Sequence, residues 1–426
     1  MRHLLRERGF AALWLAQLVS RIGDSIHEIA LIWVVYEVTG DPTLIAVVAL
    51  ASFLPSLLVS LPAGVLVDRL NRKYLLVGTE AVRGVAVLAI PLVGEGPLLV
   101  PVVIGVALLA STMEAFFGPA QGATIPRLVE EADLDAANSL TSLTLSTSRL
   151  FYVAGGVIVG LGGSFVAFYL NSASFLFAAL VLLAVPTAAG RPEPDAAADP
   201  TRADAGTAPR PSLLADAREG LRFVRDSPAL VAVVAMGVFV DFAFVPLVVV
   251  LPVFATDVLG GGGATYGFLL GAFFAGTLVG NLAVGAVRGT VDDRRGPVMV
   301  AATVLTGAFV GLAAWLPGVV PFPLAAALVG FLLAGACNPF LNVPLTTYAQ
   351  AVVPDEKRGK VFAIMRLGIT GAAPIGIALA GPLVDALGPV PVLLVMGGIV
   401  AMAGVSGLFT PLVRIGAVAP APEPAD

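Results

Sequence analysis

Runs of roughly 20 continuously apolar residues recur along this chain, each long enough to cross a hydrocarbon core of about 30 Å as a helix. In lipid the backbone must satisfy its own hydrogen bonds, which leaves helices or a closed barrel. Barrel strands alternate apolar and polar residues over about ten positions, and these runs do not alternate. An all-α integral membrane protein is therefore expected. Composition bears on the same point. The chain is 58% hydrophobic and 12% charged, about half the charge of an ordinary soluble domain, too little to cover a water-facing surface. Its 47 glycines and 32 prolines suit close crossings and kinks between membrane helices.

The runs predict twelve spans, at 10–36, 44–66, 75–94, 98–123, 138–160, 165–187, 229–255, 265–287, 298–316, 323–349, 361–383 and 390–410. The first is too long and too polar for a removable signal peptide. Basic residues test the scheme independently. Of the 24 Lys and Arg, only Arg21, Arg83, Arg149 and Arg366 fall inside spans, and every other one falls on the same side as the first residues. Positive charge stays cytoplasmic, so both termini are expected inside, in a bacterial inner (cytoplasmic) membrane. An odd number of spans would scramble this separation.

The chain divides into 1–190, a six-helix bundle; 191–227, a cytoplasmic linker with an amphipathic helix; 228–412, a second six-helix bundle; and 413–426, a flexible cytoplasmic tail. Residues 191–211 are Pro, Ala, Asp, Gly and Arg with almost no large apolar side chain, the composition of a flexible linker. In the helix that follows, Leu213, Leu214, Ala217, Leu221 and Val224 form one face and Asp216, Arg218, Glu219, Arg222 and Arg225 the other. That pattern predicts a helix lying on the cytoplasmic leaflet. The halves echo each other at an offset of about 220 residues: Gly64 to Lys73 follows the second span, and Gly285, Gly289, Asp292, Asp293, Arg294 and Arg295 follow the eighth. Gly118-Pro119 and Asn338-Pro339 occupy the fourth and tenth spans. Duplicated halves imply a cavity at their interface and alternating access by rocking.

On these residues the chain resembles the major facilitator superfamily along essentially its whole length. The segment Gly64-Val65-Leu66-Val67-Asp68-Arg69-Leu70-Asn71-Arg72-Lys73 follows the family's signature between the second and third spans, with Asn71 where a second glycine is common. Leu15-Ala16-Gln17, Ser20-Arg21-Ile22-Gly23-Asp24, Phe116-Phe117-Gly118-Pro119-Ala120, Ala137-Asn138-Ser139-Leu140 and Asn171-Ser172-Ala173-Ser174-Phe175 are similar to its drug and macrolide efflux branch. The resemblance implies a secondary transporter working in the export direction. It also implies a gating role for Gly64, Asp68, Arg69, Arg72 and Lys73. Asp68 sits where a helix ends, and a carboxylate there can cap a neighbouring helix N-terminus; Arg69, Arg72 and Lys73 serve equally as inside-positive anchors.

Charges within spans mark the working parts, because an ionised group at that depth must face a cavity or a partner. Arg21, Asp24 and Glu28 are spaced three and four apart, on one helical face. One reading is an Arg21–Asp24 ion pair that fixes packing. The other is that Asp24 or Glu28 takes up a proton on one side and releases it on the other, with Glu28 the surplus acid. Asp241, isolated among Val, Phe and Pro in the seventh span, and Glu114, deep in the fourth, are further candidates for the proton or a cationic substrate. Arg149 is a candidate partner of Glu114, while Glu80 and Arg83, three apart, are expected to neutralise each other. Gln17, Asn281, Asn338 and Asn342 are candidate cavity-lining groups. Gly156-x-x-x-Gly160 in the fifth span predicts a close helix crossing.

No phosphate-binding loop is present, so ATP-driven transport by this chain alone is not expected. With one cysteine and two histidines a metal centre has little to stand on; no cofactor is expected, and protons are the expected coupling ion. The short loops leave no room for a catalytic domain. Basic loops need no nucleic acid to explain them. The expected partners are membrane lipid and an amphipathic small molecule, and a monomer is the default. The leading reading is a proton-coupled exporter of amphipathic drugs or secondary metabolites. The alternative is a carrier of a defined metabolite such as a siderophore, or a lysophospholipid or lipid transporter.

Overall fold

The computed structural model describes residues 3–191 and 213–416, so most of the expected linker and the end of the tail lie outside the described residues. The helices in chain order are α1 (Arg8–Thr39), α2 (Pro42–Arg69), α3 (Arg72–Val93), α4 (Leu99–Thr124), α5 (Leu134–Ser148), α6 (Tyr152–Gly162), α7 (Ser164–Leu182), α8 (Leu213–Asp226), α9 (Pro228–Phe244), α10 (Leu247–Asp257), α11 (Gly263–Ala286), α12 (Arg288–Asp293), α13 (Arg295–Trp315), α14 (Pro323–Val352), α15 (Asp355–Thr370), α16 (Ala373–Leu387) and α17 (Pro389–Gly407). Short 3₁₀ turns are the remaining regular elements among the described residues.

Among the described residues, eleven stretches are long and apolar enough to cross a membrane. The twelfth is α1, 32 residues long, which falls short in apolarity because Arg21, Asp24, His27 and Glu28 interrupt it. Three of the eleven combine two helices: α5 with α6, α9 with α10, and α15 with α16. The first of these breaks is a 3₁₀ turn at Arg149–Phe151. The second falls at Pro246, which has no N–H to offer the ladder. Helix ends follow local chemistry. Asp41 caps α2 by accepting from the Thr43 and Leu44 amides, and α1 closes on Gly40, whose φ of 63° is the left-handed conformation glycine adopts without a Cβ penalty.

The chain forms two compact units, Met1–Ala208 with Ala255–Gly271, and Pro209–Phe254 with Ala272–Asp426. In the first, α1 packs on α6 and α7, α3 on α4 and α7, and α2 on α4. Phe10, Leu13, Leu76, Phe117, Ile125 and Leu182 belong to one buried apolar cluster. Gly156 on α6 faces Gly267, where an added Cβ would stand 2.7 Å from the Gly267 Cα. The expected glycine crossing of the fifth span is made there. In the second unit, α13 packs on α14 and α17, α9 on α15, α16 and α17, and α8 on α15. Small residues bring α11 and α14 close together as well: a Cβ on Gly276 would sit 2.0 Å from the Leu332 carbonyl oxygen, and one on Gly335 1.9 Å from that of Phe273.

Candidate functional site

The first unit carries an open cavity of about 230 Å³ whose polar lining includes Arg21, Asp24, Glu28, Arg83 and Glu114, with Ser52, Ser56 and Ser111 beside them. The helical spacing of Arg21, Asp24 and Glu28 turns all three toward it from α1. From α4 comes Glu114, and from α3 Arg83 with Glu80 behind it.

These groups form a connected ion network. Arg83 Nη2 donates to Asp24 Oδ1 at 2.7 Å, while its Nη1 lies 3.1 Å from Glu114 and 3.6 Å from Glu80. Arg21 Nη2 donates to Glu114 Oε1 at 2.5 Å, and its Nη1 is 3.7 Å from Asp24. The Ser20 hydroxyl lies 3.1 Å from each Glu80 carboxylate oxygen. The Arg83 guanidinium also sits 4.1 Å from the centre of the Phe175 ring, so its face is covered by an aromatic quadrupole. Arg83 and Glu80 side chains are 7% and 1% exposed. Unpaired charges so deep would be costly, and this mutual pairing is what makes the arrangement tenable. Counted as formal charges, three carboxylates meet two guanidiniums.

Glu28 stands apart from that network. It lines the cavity, is accessible to solvent, and accepts a hydrogen bond from the Tyr152 hydroxyl of α6. His27, one residue earlier, is buried edge-on to Phe168 with ring centroids 5.3 Å apart, and its Nδ1 has no hydrogen-bond partner among the described residues.

The expected Arg21–Asp24 pair is present but is the longer of the two contacts Arg21 makes. Glu114 is taken up by Arg21 and Arg83. The expected Arg83–Glu80 pair is made, at 3.6 Å, but Arg83 is also shared with Asp24 and Glu114 on two other helices, because its length reaches past its own helix. Sequence reasoning undervalued Arg83 and passed over Tyr152. The available signal was that Arg83 is one of only four basic residues inside spans.

In the 64–73 segment the capping role falls to Asn71, which begins α3 by accepting from the Lys73 amide. Asp68, expected to cap, is 75% exposed and 3.7 Å from Arg72. Arg72 is buried and donates to the Ala123 carbonyl at 3.2 Å, and Lys73 Nζ donates to the Leu183 carbonyl at 2.7 Å. Gly64 has open space where a Cβ would stand, and Arg69 is exposed. The echo in the second unit has its own pair: Arg295 donates to Asp292 at 2.9 Å, with Arg288 3.5 Å away. The Arg295 hydrogen bond, ahead of the nearby charges, holds the Asp292 carboxyl below the usual carboxylate range.

The remaining candidates are dispersed. Gln17 is buried on α1. Asp241 is half-buried on α9 and has no side-chain partner among the described residues. Asn342 donates to Asn338 Oδ1 at 2.8 Å, one turn earlier on α14, and Asn281 is exposed on α11.

The family described as transmembrane secretion effector matches residues 3–423. The chain is similar to multidrug efflux pump Tap of Mycobacterium tuberculosis (strain ATCC 25618 / H37Rv), with 30% identity over 403 residues, 91% of this chain and 90% of that one. It is also similar to macrolide efflux protein A of Streptococcus pyogenes, with 25% identity over 382 residues, 89% and 90% of the two chains. Among solved structures, a POT family transporter in complex with 5-aminolevulinic acid superposes with a TM-score of 0.74 at 12% identity, covering 95% of this chain and 96% of that one. At that identity the likeness concerns the fold.

Proposed function

The chain belongs to the transmembrane secretion effector family of the major facilitator superfamily, and from that premise we propose that it is a proton-coupled exporter of amphipathic small molecules. It is a multi-pass membrane protein and a transporter, not an enzyme. The names of its relatives, a multidrug and a macrolide efflux pump, support export of bulky, partly apolar compounds. The basic connections support an orientation with both termini in the cytoplasm.

The observation that carries the coupling is the position of Glu28. The cavity's other acids, Asp24 and Glu114, are each held by two arginine contacts. Glu28 has a neutral hydroxyl as its hydrogen-bond donor and opens onto the same cavity. A carboxylate so placed exchanges its proton with water entering the cavity and, when ionised, attracts a protonated amine. Alternating access would then carry substrate out and protons in, with Glu28 changing protonation as the cavity changes sides. The ion network around Arg83 holds α1, α3 and α4 together during that change.

Inverted membrane vesicles test this reading. An imposed gradient, acidic inside, should drive accumulation of a macrolide or lipophilic cation, and collapsing it with a protonophore should release the load. Accumulation that ignores the proton gradient would contradict proton coupling.

A further inference from the structure

The short helix α8 carries a second feature that transport does not use. The expectation was of an apolar face lying against lipid and a charged face turned away. The structure divides the helix differently. Gly220 meets α15 so closely that a Cβ would stand 2.8 Å from the Lys360 carbonyl oxygen. Val224 is buried on the same side. Glu219 is also on that side, accepting from Lys360 Nζ at 2.7 Å and lying 3.4 Å from Lys357 Nζ. The opposite face presents Arg218, Leu221, Arg222 and Arg225, spaced three, four and seven residues from the first, so they form one stripe. All four are exposed, Leu221 by 56%.

We propose that this stripe is a docking surface for anionic phospholipid headgroups. The proposal rests on the inside orientation of this connection given above. Position along the chain puts the helix at the bilayer: α8 ends at Asp226 and the next membrane span begins at Pro228. Arg225 is thus three residues, about 5 Å at helical rise, from the start of a span. Charge chooses the lipid. Among the described side chains, the acids of α8 are Asp226, 3.7 Å from Arg222, and Glu219, whose charge is taken up by Lys357 and Lys360. The stripe is a net cation beside a leaflet whose anionic lipids attract such surfaces. Guanidinium forks match phosphate oxygens in a way a single ammonium cannot. An exposed leucine among the arginines has a natural place among acyl chains just below those headgroups. Finally, the other face of α8 is fixed to α15, so the arginines stand on a rigid platform and not on a loose polybasic segment.

The test is to reconstitute the full chain into nanodiscs of equimolar phosphatidylglycerol and phosphatidylcholine, release it into detergent, and count retained lipids by native mass spectrometry. Wild type should retain phosphatidylglycerol preferentially. In the R218Q/R222Q/R225Q variant the preference should fall by at least about tenfold, and R218K/R222K/R225K should keep most of it. R288Q/R294Q, which removes two exposed arginines from a different connection, should leave it unchanged. An unaltered preference in the glutamine variant overturns the proposal, and so does an equal fall in the Arg288 and Arg294 control. If hydrogen exchange shows α8 undocked in the triple variant, Arg225→Gln alone decides: a partial fall supports the surface and no change contradicts it. The readout involves no transport, so its failure is separate from failure of the export reading.

Discussion

Arg83 on α3 donates to Asp24 on α1 at 2.7 Å, and the same guanidinium lies 3.1 Å from Glu114 on α4. One side chain thus ties three helices around the cavity. Removing one member of a buried charge network leaves the others uncompensated, at a cost of about 3–5 kcal/mol. Arg83→Ala is therefore expected to lower the thermal unfolding midpoint of the purified protein well below that of Arg83→Lys. A midpoint unchanged in Arg83→Ala would show that the network does not hold the fold.

Tyr152 gives a prediction about rate and not stability. Its hydroxyl is the donor to Glu28, so Tyr152→Phe keeps the ring and removes that bond. Transport should slow and its dependence on pH should change, with substrate affinity largely retained. The measurement is a set of initial uptake rates across a pH series, and a profile superimposable on wild type would count against the pairing.

Close helix crossing in the second unit separates two classes of glycine. An added methyl at Gly276 or Gly335 meets a carbonyl oxygen at about 2 Å, and overpacking of this kind costs about 1–3 kcal/mol. Gly276→Ala and Gly335→Ala should lower the yield of monodisperse protein and its unfolding midpoint. Gly64→Ala, with nothing near its added Cβ, should fold normally. Any transport defect in it would then report on movement and not on folding.

The docking of α8 should depend on pH. The Lys360 hydrogen bond, followed by that of Lys357, holds the Glu219 carboxyl below the usual carboxylate range. A depressed folded value contributes stability above the ordinary carboxylate value and loses it as pH falls through the depressed one. Protection factors, exchange rates corrected for their intrinsic dependence on pH, should therefore be high in residues 217–226 at neutral pH and fall as the medium is acidified past the carboxylate range. In Glu219→Gln they should be lower at neutral pH and nearly independent of acid. Because the pair is exposed, the effect concerns the docking of α8 and not the stability of the bundle.

The spans were legible in the sequence because apolarity over about 20 residues is a local property. The face shared by Arg21, Asp24 and Glu28 was legible for the same reason, since helical spacing alone fixes it. What the sequence hid is contact between helices. Arg83 was assigned to Glu80, its neighbour three residues away, yet its shorter contacts are to Asp24 and Glu114, both distant in the chain. Tyr152 lies 124 residues from Glu28, and no periodicity links them. The cap of α3 shows the same limit at short range. Asp68 and Asn71 both have side chains able to cap, and only the local backbone decided for Asn71. In α8 the apolar and charged residues were seen, but the face was divided by α15, which no pattern within the helix reveals.

The central claim is that Glu28 carries the coupled proton, and the most direct measurement compares two modes of transport in proteoliposomes. Wild type should show both substrate exchange across the membrane without a gradient and accumulation driven by a proton gradient, with proton movement followed by a pH-sensitive dye. Glu28→Gln should retain exchange and lose both gradient-driven accumulation and substrate-dependent proton movement. Asp24→Asn and Asp241→Asn serve as comparisons. Proton movement persisting in Glu28→Gln, with accumulation intact, would contradict the account and return the coupling role to another of the buried acids.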